Sequence, residues 1–139
     1  MTPAVRSGQE VMSDGGPAVN YDGRRFRGRR NSANGEVGGE TIFLYRQHGD
    51  VLTGEYSGGA IVAGHLLGTV RADGSLDFLY HHINERGELM GGRCESTPRV
   101  EDGLLVLAER WQWLTGDRSS GTSEVEEISG DESGSGATR

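Results

Sequence analysis

IVAGHLLGTVRADGSLDFLYHHIN, residues Ile61–Asn84, is the stretch that decides the fold. Before Ala72-Asp73-Gly74, the residues Gly64, Leu66, Gly68 and Val70 alternate with His65, Leu67 and Thr69. After it, Leu76, Phe78, Tyr80 and His82 alternate with Asp77, Leu79 and His81. A period of two is the signature of a strand with two distinct faces. Asp-Gly accepts the positive φ of a tight hairpin turn, so the two runs read as neighbouring antiparallel strands, Ile61–Val70 and Ser75–Asn84.

The same rhythm continues in both directions. Upstream, Tyr21–Arg30 reads as one strand or a small hairpin around Asp22-Gly23. A Gly-rich link, Asn31–Glu40, follows it. Then come Thr41–Arg46, a turn at His48-Gly49-Asp50, Val51–Ser57 and a Gly58-Gly59 turn. Downstream, Glu85-Arg86-Gly87 turns into Glu88–Thr97. Pro98 and Glu101-Asp102-Gly103 turn into Leu104–Trp113, and a Gly/Ser loop over Thr115–Gly121 precedes Thr122–Ile128. No segment in this span reads as a helix. Strands joined by short turns pair with their predecessors. The expectation is an all-β domain over residues 19–128, an antiparallel up-and-down meander of about eight strands closed into a barrel. Closure also removes the exposed sheet edges that promote aggregation.

The flanks differ in composition. Residues 1–18 are small, polar and aperiodic, and residues 129–139 are acidic and Gly/Ser-rich; both are expected to be disordered. The chain has 139 residues, which suits one such domain, and 24 of them are Gly without a collagen period. A net charge of −7 disfavours nucleic acid as a partner. All 14 basic residues are Arg, so lysine Schiff bases, a P-loop lysine and a lysine base are excluded. The single cysteine, Cys94, excludes an intrachain disulfide and a Cys-rich metal site. No run approaches the roughly 20 apolar residues of a membrane-spanning helix, and no apolar leader opens the sequence. A cytoplasmic setting without membrane contact is expected, with a homo-oligomer left open.

A closed barrel of about eight strands has one natural site, its interior. Leu105, Leu107, Glu109, Trp111 and Trp113 form the heavier face of their strand and are assigned inward. So are Leu76, Phe78, Tyr80 and His82, and Val62, Gly64, Leu66, Gly68 and Val70, where the glycines are expected to leave open space. Met90, Gly92, Cys94 and Ser96 follow, with Phe43, Tyr45, Leu52 and Tyr56. The outcome is an apolar, aromatic interior with a sparse polar set, the character of a small-molecule pocket.

Glu109 is the sharpest chemical signal, because a carboxylate between inward Leu107 and Trp111 is pushed toward its neutral form by burial. It reads as an acid, a base or a ligand-orienting group, or as a carboxylate tied to an inward Arg or Tyr or exposed at the barrel mouth. Tyr56, Tyr80 and His82 join it as candidate catalytic donors. Phe43, Tyr45, Leu66, Phe78, Met90, Leu107, Trp111 and Trp113 are candidate substrate-binding walls. His81 and His82 point to opposite faces and cannot share one metal ion without a bulge; no metal or organic cofactor is expected. RRFRGRR, Arg24–Arg30, is the one basic cluster, and the alternation around Phe26 reads it as a strand with a solvated basic face. Cys94 reads as inert core.

The runs NSANGEV (Asn31–Val37), EYSGG (Glu55–Gly59), GELM (Gly87–Met90), ERWQW (Glu109–Trp113) and TGD (Thr115–Asp117) carry a resemblance. The block from Asn20 to Ile128, about 108 of the 139 residues, resembles a family of small bacterial proteins often labelled N-acetylglutamate synthase. That label implies an α/β acetyltransferase with a pyrophosphate-binding turn before a helix, and this chain shows neither. In size, tails and barrel pattern the chain is also similar to the small cyclases of bacterial polyketide pathways. This second similarity implies a calycin-like barrel that closes rings in macrocyclic polyenes by pericyclic [6+4] and [4+2] cycloaddition, without a cofactor. The expected partner is then an apolar polyene substrate held in the interior. The alternative is a non-catalytic carrier or sensor of an apolar ligand, and a third reading is a proton-transfer enzyme using Glu109 with His82.

Overall fold

The computed structural model describes residues 19–129. The expected N-terminal arm (1–18) and nearly all of the expected C-terminal tail lie outside the described residues. Eight strands occur in chain order: β1 (Arg25–Asn31), β2 (Ile42–His48), β3 (Val51–Gly58), β4 (Ile61–Val70), β5 (Leu76–Asn84), β6 (Leu89–Glu101), β7 (Leu104–Trp113) and β8 (Ser120–Glu127). Each pairs antiparallel with its predecessor, and β8 pairs back with β1, so the sheet closes as a barrel. The all-β meander barrel expected from the alternation is the observed fold. Among the described residues, no helix is long and apolar enough to cross a membrane.

Alternation fixes which side chains enter the lumen. In β3, Leu52, Gly54 and Tyr56 are buried while Val51, Thr53, Glu55 and Ser57 are exposed. In β5, Leu76, Phe78 and His82 are buried and Leu79 and His81 face solvent. The turns behave as their residues dictate. Gly74 has φ +87° at the β4–β5 hairpin, where Asp73 Oδ1 accepts bonds from Ser75 N (2.9 Å) and Ser75 Oγ (2.6 Å).

Five departures from the sequence reading have physical causes. Tyr21 belongs to no strand; it is fully buried as a plug, its hydroxyl donating to the Gly74 carbonyl at 2.5 Å. β6 does not stop at Pro98 but runs on to Glu101. Its pairing with β5 ends at Ser96, so beyond that point β6 has only β7 beside it, and proline is tolerated on such an edge. A register irregularity between Ile61 and Ala63 turns Ile61 inward (2% exposed) and Val62 outward (61%). β8 begins at Ser120, inside the expected loop. The fifth concerns the glycines, which do not leave space. Gly54, Gly64, Gly68, Gly92 and Gly121 stand directly across from Tyr45, Tyr56, Phe78, Tyr80 and Trp111. At Gly64, Gly92 and Gly121 the partner's ring covers the bare backbone, an added Cβ standing 2.5 Å from Tyr56 Cζ, Tyr80 Cζ and Trp111 Cζ2 respectively; Gly54 is covered by Leu66 and Gly68 by the backbone and Cβ around Phe78.

The two ends of the barrel differ. At the end bearing the β2–β3, β4–β5 and β6–β7 turns, Tyr21, Phe26, Tyr45, Leu52, Leu76, Leu107 and Val125 are completely buried. Aromatic contacts tie this plug together, with Phe26 and Tyr45 ring centroids 4.9 Å apart. Outside, the basic cluster is ion-paired: Arg24 with Glu127 (2.7 Å), Arg27 with Glu126 (2.9 Å) and Arg29 with Glu101 (3.0 Å). These are surface pairs of small individual worth. They match the solvated basic face read from the alternation.

Candidate ligand site at one end of the barrel

The other end carries the β1–β2, β3–β4, β5–β6 and β7–β8 connections and holds the interior cavity. Phe43, Tyr56, Leu66, Phe78, Tyr80, Cys94, Trp111 and Trp113 wall it; Asn31, Glu36, His82, Glu109 and Ser123 supply polar groups. The open space is about 50 Å³, room for a few water molecules and well short of the roughly 300–1,000 Å³ of a drug-sized pocket. The β1–β2 loop (32–40) lies over the mouth, with Gly35, Glu36 and Val37 contributing to the lining.

Two separate hydrogen-bond networks meet in this space. Glu109, 9% exposed, accepts from Ser96 Oγ on β6 (3.0 Å) and from Ser123 Oγ on β8 (3.0 Å), its cross-strand neighbours on either side. Burial pushes its carboxyl up to about 7, and the two serine hydroxyls pull the other way. Glu109 is thus tied to serines rather than to the Arg or Tyr allowed for in the sequence reading, and near neutral pH a large share of it carries a proton.

The second network begins at Tyr56, whose hydroxyl lies 2.9 Å from His82 Nδ1. His82 Nε2 lies 2.7 Å from Glu36 Oε1. With Tyr56 donating to Nδ1, Nε2–H donates to the carboxylate, a tautomer assigned from the network. Glu36 Oε2 also accepts from Asn84 Nδ2 (3.0 Å) and Arg86 Nη2 (3.1 Å). His82 and Glu109 line the same cavity but belong to separate hydrogen-bond networks.

The sequence-assigned residues fall into three positions. Glu109, Tyr56, Tyr80, His82, Phe43, Leu66, Phe78, Trp111 and Trp113 line the cavity. Tyr45 and Leu107 are fully buried in the packed half and do not line it. Met90 is half-buried, 4.0 Å from the Thr115 hydroxyl, and sits near the β7–β8 loop outside the lining. The tyrosines differ in availability. Tyr56 is engaged by His82, whereas the Tyr45 hydroxyl is buried without a partner among the described residues. Tyr80 has its hydroxyl unengaged among the described residues, and burial drives its phenol well above the usual range. Burial likewise pushes the Cys94 thiol up, away from the reactive thiolate. Among the described residues no cluster of three or more His, Cys, Asp or Glu is arranged to hold a metal ion.

Glu36, Asn31 and Ser123 were not singled out by the alternation. Asn31 and Ser123 sit at strand positions that carry no apolar signal. Glu36 lies in a link that reads only as Gly-rich, although it is the sixth residue of the NSANGEV run. Asn31 Nδ2 holds the loop through the Val37 carbonyl (3.0 Å), and Trp113 Nε1 donates to the Asn34 carbonyl (3.1 Å).

A half-hollow aromatic barrel with few polar groups is compatible with small-molecule binding. No curated protein and no solved structure matches the chain. The family profile described as avidin-like protein matches residues 19–128, which spans all eight strands and both networks. The chain therefore belongs to the avidin-like protein family.

Proposed function

We propose that the barrel is a cofactor-independent cyclase: it binds an apolar polyene, of polyketide type, in its open half and closes rings in it by [6+4] or [4+2] cycloaddition. The observation that carries this reading is the pairing of aromatic walls with two polar side chains, Glu109 and Tyr80, in one cavity. Phe43, Phe78, Trp111 and Trp113 offer flat faces that fold a flexible chain. Glu109, protonated in large part near pH 7, and Tyr80 are the candidate O–H donors to a ligand oxygen.

The reaction makes modest demands. Two C–C σ bonds form while two π bonds are consumed, and no atom or electron is added or lost. The entropic part of the barrier falls when both termini are held in contact. A hydrogen bond from Glu109 or Tyr80 to a conjugated carbonyl polarises the electron-poor partner, and removal of one such donor should cost roughly 1–3 kcal/mol of barrier. The present cavity is too small for a macrocycle, so loop 32–40 must swing aside for entry, releasing the Asn31 amide from the Val37 carbonyl (3.0 Å) and the Trp113 indole from the Asn34 carbonyl (3.1 Å), while the Ser32 N–H bond to the Thr122 carbonyl (3.0 Å) can stay as a hinge.

The test is incubation with a linear or macrocyclic conjugated polyene, with chromatography of the products. A ring-closed isomer of unchanged mass, formed faster than without protein and slowed in Glu109→Leu and Tyr80→Phe, which remove the donors, is the expected result. Recovery of unchanged ligand from a tight complex would replace the cyclase by the carrier reading. The identical interior makes the carrier the second reading.

A further inference from the structure

We propose that His82, Asn84 and Arg86 form a carboxylate receptor at the barrel mouth, that Glu36 occupies it as a built-in competitor, and that the ligand carries an acidic head that displaces Glu36. This rests on the reading of the interior as a ligand chamber and names the class of ligand it takes.

The three donors come from positions i, i+2 and i+4 of β5 and its turn, and all three converge on one carboxylate. His82 Nε2 is 2.7 Å from Oε1; Asn84 Nδ2 and Arg86 Nη2 are 3.0 and 3.1 Å from Oε2. His82 and Asn84 are 2% and 1% exposed, so their donors point into a site rather than into bulk water.

The receptor is held in place without Glu36. Tyr56 holds the far side of the imidazole at 2.9 Å. Asn84 Oδ1 accepts from the backbone N–H of Arg86 and of Glu88, both at 3.0 Å, which fixes the direction of its amide. Glu88 Oε1 accepts from Asn84 Nδ2 (2.9 Å) and Arg86 Nε (3.0 Å) and steadies both. Glu36 itself arrives on a loop with Gly35 before it and Gly38-Gly39 after it, outside any strand. The donors are preorganised by partners of their own and the acceptor comes from a loop outside the sheet, which is the arrangement of a binding site filled by its own chain.

Charge supports the same ligand. Arg86 faces two carboxylates, Glu36 and Glu88. If the loop opens, Glu88 stays with Arg86, but the buried Nε2–H of His82 loses its acceptor, and an unpaired buried donor is costly. An incoming carboxylate restores that bond, whereas an ester or alcohol replaces it less well because it carries no charge. The receptor borders the apolar wall, His82 and Trp113 being 5.8 Å apart edge to face. A ligand with an anionic head and an apolar conjugated body fits both surfaces. Because Glu36 competes from within the same chain, its local concentration is high, and it weakens binding until it is removed.

The test uses the full chain and cis-parinaric acid, a conjugated tetraene acid whose fluorescence rises in apolar surroundings, beside its methyl ester. Glu36→Ala is expected to bind the acid at least tenfold more tightly than wild type and to prefer acid over ester at least tenfold. Adding Arg86→Gln, an exposed position, should cut that preference severalfold. Glu36→Gln, which keeps the shape without the charge, guards against a folding defect and should show the same direction. Equal binding of acid and ester by both variants, or no gain for the acid, overturns the receptor and leaves the chamber intact. Failure of every form to bind either probe overturns the receptor and the ligand chamber together.

Discussion

Tyr56 lies across from Gly64, and its ring covers the bare backbone of β4 so closely that a methyl group at position 64 would stand 2.5 Å from Cζ and 2.9 Å from His82 Cβ. The glycine is what allows the ring to lie down, and the ring's position brings its hydroxyl to His82. Gly64→Ala therefore forces Tyr56 or His82 to move. Overpacking of this kind costs about 1–3 kcal/mol. Urea denaturation should report that loss, and the same variant should weaken ligand binding by loosening the Tyr56–His82 contact. A Gly64→Phe change overfills the wall rather than merely occupying the cavity, and should fold poorly.

Glu109 makes stability depend on pH. Its folded value of about 7 lies above the ordinary 4.5. Between those values the folded state holds a proton that the unfolded state has released, so stability declines as pH rises through this window and levels off above it. The total is on the order of 3 kcal/mol at most. Thermal melts from pH 4 to 8 should show the decline in wild type and a flatter profile in Glu109→Gln. Equal slopes would place the carboxyl's titration elsewhere.

Catalysis should follow the same group. If protonated Glu109 donates to the ligand, turnover decreases as pH rises through about 7, with no matching loss on the acid side. A bell-shaped profile would instead indicate paired acid and base groups. The pH–rate curve of Glu109→Gln, which still donates through its amide, should be nearly flat.

Trp113 tethers the mouth. Trp113→Phe keeps most of the wall but loses the 3.1 Å bond to the Asn34 carbonyl. The expected cost is about 1 kcal/mol, confined to one loop. Hydrogen exchange should quicken in residues 32–40 and change little in β4 and β5.

Cys94 should resist alkylation by iodoacetamide in the native protein near pH 8, because burial keeps the thiol protonated and shields it. Labelling should appear on unfolding. Rapid labelling of the native form would mean that the interior opens often.

Alternation in Ile61–Asn84 and its neighbours determined the strand number, the meander order and most of the inward faces, since a period of two leaves only one set of side chains able to enter a closed lumen. Glu109, Trp111 and Trp113 were legible for that reason: they share a face with Leu105 and Leu107. Position along the barrel axis is not encoded in a period of two, so Tyr45 and Leu107 looked like pocket walls until the packed half was seen around Tyr21. Nor does a strand's own pattern reveal what its neighbour places against it, which is why Gly64 and Gly68 looked like open space when the Tyr56 ring fills one and the β5 backbone and Phe78 Cβ the other. Glu36 lies in a loop without periodicity, 46 residues before His82. Only the closure of the β1–β2 loop over the β5–β6 end brings that carboxylate to its three donors, because contacts between residues so far apart in the chain are set by the tertiary path and not by local pattern.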